Sequence, residues 1–453
     1  MLTFKNLKMK YIITLLGSLF FISACSTDLD QSPPNFASAD SLTDFAGVLN
    51  AAYYYQLGSV TPLAVMAEFR ADNALMQEAP YTEFDQFTNN LTTMEDQFFG
   101  PLYTAMYKSI LSANNVIENS TDPTEVAEAK FLRALSYFKL VKSFGDITIN
   151  LSPAPSLTDT SILQRQNADQ VYNSVIIPDL NDAIAGLSAS IVDGRASKYA
   201  AQALLGKVYS TIGDYSSAAT ELLAVINGAP SAGISLKSNF NEIFGAANES
   251  GNSEIIYSTR ISSSIVDEYS FGSDFWNCFV GDDSKSDLPV DPDLVAAFDA
   301  SDTNGGGVDL RRAVTLSDDG LKAIKFPKEG GLGGEHDWIE IRLADVILSY
   351  AEALNENGTD ADTVLALLDP IRTRAGLTSL VGTVSSQADV KRAIANERRL
   401  ELAFEGHRWF DLVRTGTVDV EMGQTVNSNY HLFPIPISEI LATNGIITQN
   451  PGY

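Results

Sequence analysis

Apolar residues first cluster at positions 11 to 24, YIITLLGSLFFISA, behind a start that carries Lys5, Lys8 and Lys10 and no acid. A basic start, a short apolar run and small residues before a cut make a secretory signal. As a helix the run would span about 21 Å, short of a ~30 Å hydrocarbon core, so it predicts a leader rather than a permanent span. The following segment, 25–40, is polar, contains Pro33-Pro34, and predicts a tether. Helical spacing dominates beyond it. In AEAKFLRALSYFKLVKSFGD, residues 127–146, Ala127, Phe131, Ala134, Phe138 and Val141 fall on one face at three- and four-residue steps. Lys130, Arg133 and Lys142 are left mainly for other faces, and Gly145 is placed to stop the helix.

A repeat emerges at Tyr199 to Gly228. Leu205-Gly206, Tyr209, Gly213, Tyr215, Ala218 and Leu222 follow tetratricopeptide spacing. Packing explains the pattern: Gly206 and Ala218 permit close approach of two antiparallel helices, and Gly213-Asp214 turns the chain between them. A looser copy begins at Tyr350-Ala351, with Leu354 and Gly358 in frame. Pro370 sits inside its second segment and predicts a kink or a new helix start. Such pairs bury a face only by stacking, so several units are expected. Residues 228–335 differ, being rich in Ser, Gly, Asn and Asp with short strand-like pieces such as EIIYSTR. Long loops inside a helical protein usually carry function.

Charge narrows the partners. The 453 residues hold 57 acids against 30 Lys and Arg, a net charge of -27, and loss of the leader's three lysines would make it about -30. So acidic a chain repels phosphate backbones and anionic lipid, which argues against nucleic-acid or polybasic membrane binding. Its 45% hydrophobic content argues against general disorder. The two cysteines are Cys25 and Cys278. Ile22-Ser23-Ala24-Cys25 resembles the lipobox of bacterial lipoproteins, in which the cysteine is acylated and becomes the mature N-terminus. Polar residues follow Cys25 at once and nothing there could bury it, so Cys25 is assigned as the lipid anchor. That leaves Cys278 alone, without an intramolecular disulfide partner.

Six stretches together resemble one family, the SusD/RagB-like nutrient-uptake lipoproteins. They are the lipobox cysteine followed by DLD, AEFRADNA (67–74), AEAKFLRALSYFKLVKSFGD, IRLADVILSYAEALNE (341–356), NERRLELAFEGHRWFDLVRTG (396–416) and the ending LFPIPISEILATNGIITQNPGY. The resemblance implies a mostly α protein of about four tetratricopeptide-like units, a helix-turn-helix scaffold carrying a loop-rich ligand region with short strands. It implies a signal peptide over 1–24, an anchor and tether over 25–40, an N-terminal helical region over 41–230 and a C-terminal region over 231–453. It further implies a non-enzymatic protein on the outer face of a Gram-negative outer membrane. There it would capture glycans and pass them to a SusC-like TonB-dependent transporter. Peptide or other nutrient capture by the same architecture stays open, and a lipid-anchored glycan hydrolase is the reading from a different class.

The residues favour binding over chemistry. His336, His407 and His431 are far apart with no HExxH or CxxC companions, so no metal site is expected. Asp302-Thr-Asn304-Gly-Gly306 opens like a calcium loop, but Ala313 stands where the bidentate Glu belongs; no cofactor is expected, with a structural calcium left open. Glu397, Arg398, Arg399, Glu401, Arg408, Asp411 and Arg414 read as paired charges holding helices together. Trp338 and Trp409 are expected to face the helical core.

Sugar recognition needs flat aromatic faces and planar polar groups. Two stretches supply them: Arg70, Asn73 and Tyr81 in AEFRADNALMQEAPYTEFDQF, and Tyr269, Phe271, Phe275 and Trp276 in VDEYSFGSDFWNCF, where a polar, non-periodic setting suggests exposure. Relatives often carry a sugar-stacking tryptophan just before the helix that begins here near Tyr103. This chain has Phe98-Phe99, which makes Phe99 a further candidate.

Cys25→Ala is expected to leave the protein folded but released or mislocalised, because the anchor lies outside the packed body. Membrane fractionation with surface protease accessibility checks this, and unchanged attachment would refute the anchor.

Overall fold

Helices form where the periodicity places them, and caps fix their ends. The computed structural model describes residues 44–155, 159–262, 275, 277–281, 286–305, 307–326 and 336–453; Cys25 and the segments 1–24 and 25–40 lie outside them. After α1 (Ala46–Tyr54) and α2 (Val60–Glu68) come the long helices α3 (Gly100–Asn119) and α4 (Pro123–Phe144). Pro123 occupies the first turn of α4, and the Asp122 carboxylate accepts from the backbone of Thr124 at 2.7 Å. Gly145, at φ 71°, ends the helix where a side chain would be strained. More of α4 is buried than one apolar stripe requires. Arg133 is inside too, its guanidinium bonding Asp179 at 2.7 and 2.8 Å and Asn114 at 2.8 Å.

Stacking then proceeds helix by helix. α4 packs on α3 and on α5 (Ile177–Gly186), which meets α6 (Lys198–Thr211); α6 pairs with α7 (Tyr215–Gly228). The Asp214 side chain caps α7 by accepting from Ser217 N at 3.1 Å, and Gly213 makes the turn at φ 79°. After α8 (Pro292–Gly305), α9 (Leu343–Glu356) packs against α7, and Asn357 just beyond it donates to Tyr215 O at 3.0 Å. Pro370 does start a new helix: α10 (Ala361–Ala366) stops and α11 (Asp369–Arg374) begins with Pro370 in its first turn. α12 (Gln387–Glu401) closes this unit over a core that includes Leu348, Val364, Leu368, Ile371, Val390 and Ile394. α13 (Arg408–Thr415) returns to pack on α2.

Strands are few and short among the described residues. β1 (Ile147–Thr148) pairs antiparallel with β2 (Arg165–Gln166), and β3 (Ile255–Thr259) with β4 (Trp338–Arg342). β3 is the strand-like IIYST of the sequence. Asp44–Tyr453 cluster as one unit. No described helix is long and apolar enough to cross a membrane.

Paired charges hold the C-terminal half together, as the crowding of residues 397–414 suggests. Arg342 reaches Glu254 at 2.9 Å, Glu401 at 2.7 Å and Glu405 at 2.7 Å. Arg311 reaches Asp309 at 2.7 Å, Glu397 at 2.6 Å and Glu401 at 3.2 Å, while Arg374 also bonds Glu254 and Glu401. Burial alone would raise the Glu401 carboxyl, but Arg374, Arg342 and Arg311 outweigh it and hold it well below the usual range.

Two outcomes are expected. A Cβ on Gly206 would lie 2.5 Å from Leu222 Cγ and 2.7 Å from its Cδ2, so Gly206→Leu should destabilise by roughly 1–3 kcal/mol or more. Urea melts check this; pairing the milder Gly206→Ala with Leu222→Ala should recover part of the loss the alanine causes alone, since both act at one contact. Glu401→Gln leaves three guanidiniums short of a partner and should cost on the order of 3–5 kcal/mol at neutral pH. Because the folded pKa is depressed, the wild-type carboxylate's contribution is full above its unfolded value, about 4.3, and fades as pH falls below it. Urea titrations at successive pH values should therefore show a gap between the two proteins that narrows in acid.

Candidate ligand-binding sites

The stretch after α2 is polar in sequence and interior in space. Arg70 is 1% exposed. Its guanidinium lies 4.3 Å from the Phe87 ring, 4.9 Å from Phe84 and 5.7 Å from Trp409. It donates to the carbonyl of Phe84, and to Tyr430 O and the Tyr453 hydroxyl at 3.4 and 3.5 Å. Burial lowers this guanidinium to about 10, which leaves it charged at neutral pH. Asn73 donates to Glu68 at 2.8 Å and accepts from Arg399 Nε at 3.0 Å. Glu68 in turn accepts from the backbone N–H groups of Phe404, Gly406 and His407 at 3.1, 2.9 and 3.2 Å. Burial raises the Glu68 carboxyl, while Asn73 and these three N–H donors work against the rise. One carboxylate thereby holds the turn between α12 and α13, in which Phe404 and Gly406 both take positive φ.

Arg70, Asn73 and Phe99 are therefore corrected from ligand contacts to interior supports. Phe99 is fully buried, 5.4 Å from the Phe433 ring and 6.2 Å from Phe84. Tyr81 is 9% exposed, and its hydroxyl is engaged with the Gln97 side-chain amide. The aromatic residues that follow Arg70 fold over its charge instead of facing solvent.

The second aromatic stretch divides. Tyr269, Phe271 and Trp276 lie outside the described residues. Phe275 is fully buried, edge-on to Phe326 at 4.9 Å and to Trp338 at 5.1 Å, so it too is corrected, to a satellite core. Phe279 stacks on Phe69 at 5.6 Å. Trp338 and Trp409 are buried, as their sequence context suggests. At the calcium-like stretch the backbone of Asp302 to Gly305 continues α8 rather than opening a loop.

Among the described residues, two of the accessible clefts carry polar and aromatic groups together, and neither was singled out from the sequence. The larger, about 390 Å³, lies between α4, α6, β4 and α13; Lys139, Lys142, Lys207, His407, Phe410 and Asp411 are on its wall. Burial pushes the His407 imidazole down to about 3, so it is neutral there. Burial, then the neighbouring Lys207, pushes Lys142 down to about 7. The smaller cleft, about 230 Å³, joins Tyr53, Tyr54, Asp193, Arg195, Tyr257 and Arg260. Arg195 lies 4.4 Å from the Tyr53 ring and 2.7 Å from Glu128. Tyrosine faces beside guanidinium and carboxylate groups can meet both sides of a sugar ring, its C–H surface and its hydroxyls. The run Tyr53-Tyr54-Tyr55 was the sequence signal available for this cleft; Lys142 offered none beyond its place on a helix face.

Comparison with known proteins covers both ends of the chain. A family profile described as SusD family matches residues 322–429, and one described as starch-binding associating with outer membrane matches 26–210. SusD-like protein P2 of Formosa agariphila is 26% identical over 98% of this chain and 100% of its own length. The starch-binding protein SusD of Bacteroides thetaiotaomicron is 25% identical over 72% of each chain. Among solved structures, a laminarin-binding SusD-like protein is 29% identical with a TM-score of 0.71, covering 91% of this chain and 99% of that one. A SusD superfamily protein of Parabacteroides distasonis has a TM-score of 0.74 at 22% identity, covering 92% and 100%.

Proposed function

Starting from the chain's membership of the SusD/RagB family, we propose that it is a non-catalytic surface lipoprotein that captures oligo- or polysaccharide and hands it to a SusC-like transporter. The observation that carries this reading is the similarity, over nine-tenths of the chain, to a laminarin-binding protein of the same fold. A helical scaffold stiffened by buried ion pairs suits capture, because loops on a rigid frame can vary in ligand without unsettling the fold. Cys25 is the proposed attachment point on the outer membrane, and more than one acyl chain would be needed to hold it there. Tyr269, Phe271 and Trp276 remain the proposed sugar platform, with Phe275 and Phe279 as buried residues on either side of Trp276 in sequence. Tyr53 and Tyr54 in the smaller cleft form a second surface with the chemistry of saccharide contact.

Incubation of the mature protein with a glycan panel is expected to give retardation in native gels without new reducing ends. Release of product would overturn the non-catalytic reading. Trp276→Ala should weaken the best ligand about thirtyfold, roughly 2 kcal/mol, with little change in melting temperature. Calorimetric titration beside a thermal melt measures both, and a variant that binds normally but unfolds early would move Trp276 to the core.

A further inference from the structure

Among the described residues, every arginine and lysine on the wall of the larger cleft but one has a carboxylate partner. Lys139 Nζ is 2.5 Å from Glu340, and Lys207 Nζ is 2.6 Å from Asp345. Arg398 contacts Asp345 at 2.9 Å and Asp411 at 3.0 Å, and Arg414 bonds Asp411 at 2.8 Å as well as Glu352. Lys142, in the last turn of α4, has no carboxylate within ion-pair distance among the described residues. What holds it is aromatic: its Nζ lies 4.3 Å from the Phe410 ring centre and 5.7 Å from that of Phe138.

An aromatic face steadies an ammonium group without neutralising it. In a chain of net charge -27, a cleft-wall lysine with no carboxylate partner among the described residues stands out against its surroundings. The bland reading is a lysine that lays its stem along Phe410 and points its head to water. Two facts favour more than that. The cleft, at about 390 Å³, falls in the range of small-ligand pockets. Lys142 is half-buried as a residue and lines the cleft. Its lowered pKa fits the same picture, since burial and the Lys207 and Lys139 charges strain the protonated form against the pull of Glu340 and Asp411. A bound anion would relieve that strain.

We propose that this cleft is a separate binding site for an acidic saccharide, whose carboxylate or sulfate pairs with Lys142 while the sugar body fills the space beside Phe410. The inference rests on the glycan-capture reading and adds a charge class to it. The geometry places Lys142 to read the anion.

Calorimetric titration with trigalacturonate, galactotriose and inorganic sulfate tests it on wild type, Lys142→Gln and Lys142→Arg. Trigalacturonate or sulfate should bind wild type, with binding weakened at least tenfold in Lys142→Gln and retained in Lys142→Arg. The bound probe, sugar acid or sulfate, identifies which anionic group the site takes. Raising salt from 50 to 500 mM should also weaken the interaction, as expected of a partly exposed ion pair. Equal binding by wild type and Lys142→Gln would overturn the proposal, as would galactotriose binding as tightly as trigalacturonate. A wild type that retains laminarin oligosaccharides but binds neither acidic probe sinks this inference alone. One that binds no saccharide or anion sinks the glycan reading with it.

Discussion

One carboxylate carries more of this fold than any other group. Glu401 is fully buried and meets Arg311, Arg342 and Arg374 at once. A lone buried charge of this kind would be prohibitively costly, and even a pair often fails to recover its desolvation. Here the charges are balanced as a group. Arg311, Lys325, Arg342, Arg372 and Arg374 face Asp309, Glu254, Glu397, Glu401 and Glu405, five of each sign. Every member depends on the others being present, so the cluster forms as a unit or leaves charges stranded.

Its members come from far apart: Glu254 precedes β3, Arg342 ends β4, Arg374 ends α11, and Glu401 ends α12. The ion cluster thus fastens the loop-rich middle of the chain to the helical repeats, which an apolar core alone would do with less demand on geometry. Apolar contacts tolerate sliding; bidentate guanidinium–carboxylate contacts do not. That difference explains how a segment with so little regular structure can be held in fixed register on a stack of helices. Glu68 repeats the device at smaller scale, fixing the α12–α13 turn through backbone donors.

What could be read in advance was local. The Leu205-Gly206 to Leu222 frame is written in spacing, because close helix contact needs a missing side chain at a definite step. The charged run 397–414 was legible as paired charge, since so many ions of both signs in so short a stretch have few other stable arrangements. Arg70 and Phe99 were misread for the opposite reason. Their covers, Tyr430, Phe433 and Tyr453, lie hundreds of residues away, and no local pattern says that an aromatic loop will be roofed over. Phe275 failed likewise, since Phe326 and Trp338 close around it from beyond the loop. The two clefts were invisible because a concavity belongs to several helices and to no single one.

The roof over Arg70 also constrains the order of events while the protein is made. Tyr453 lies 383 positions beyond Arg70, and Tyr430 lies 360 beyond it. A chain leaving the ribosome, or threading a membrane, presents Arg70 long before either tyrosine arrives. Until then the guanidinium must stay in contact with water, and the nearby Phe84 and Phe87 rings cannot close over it without stranding a charge. The N-terminal portion is thereby kept from sealing prematurely, and the final closure over Arg70 waits for the last residues of the chain. A charge that refuses early burial is a timing device as much as a structural one.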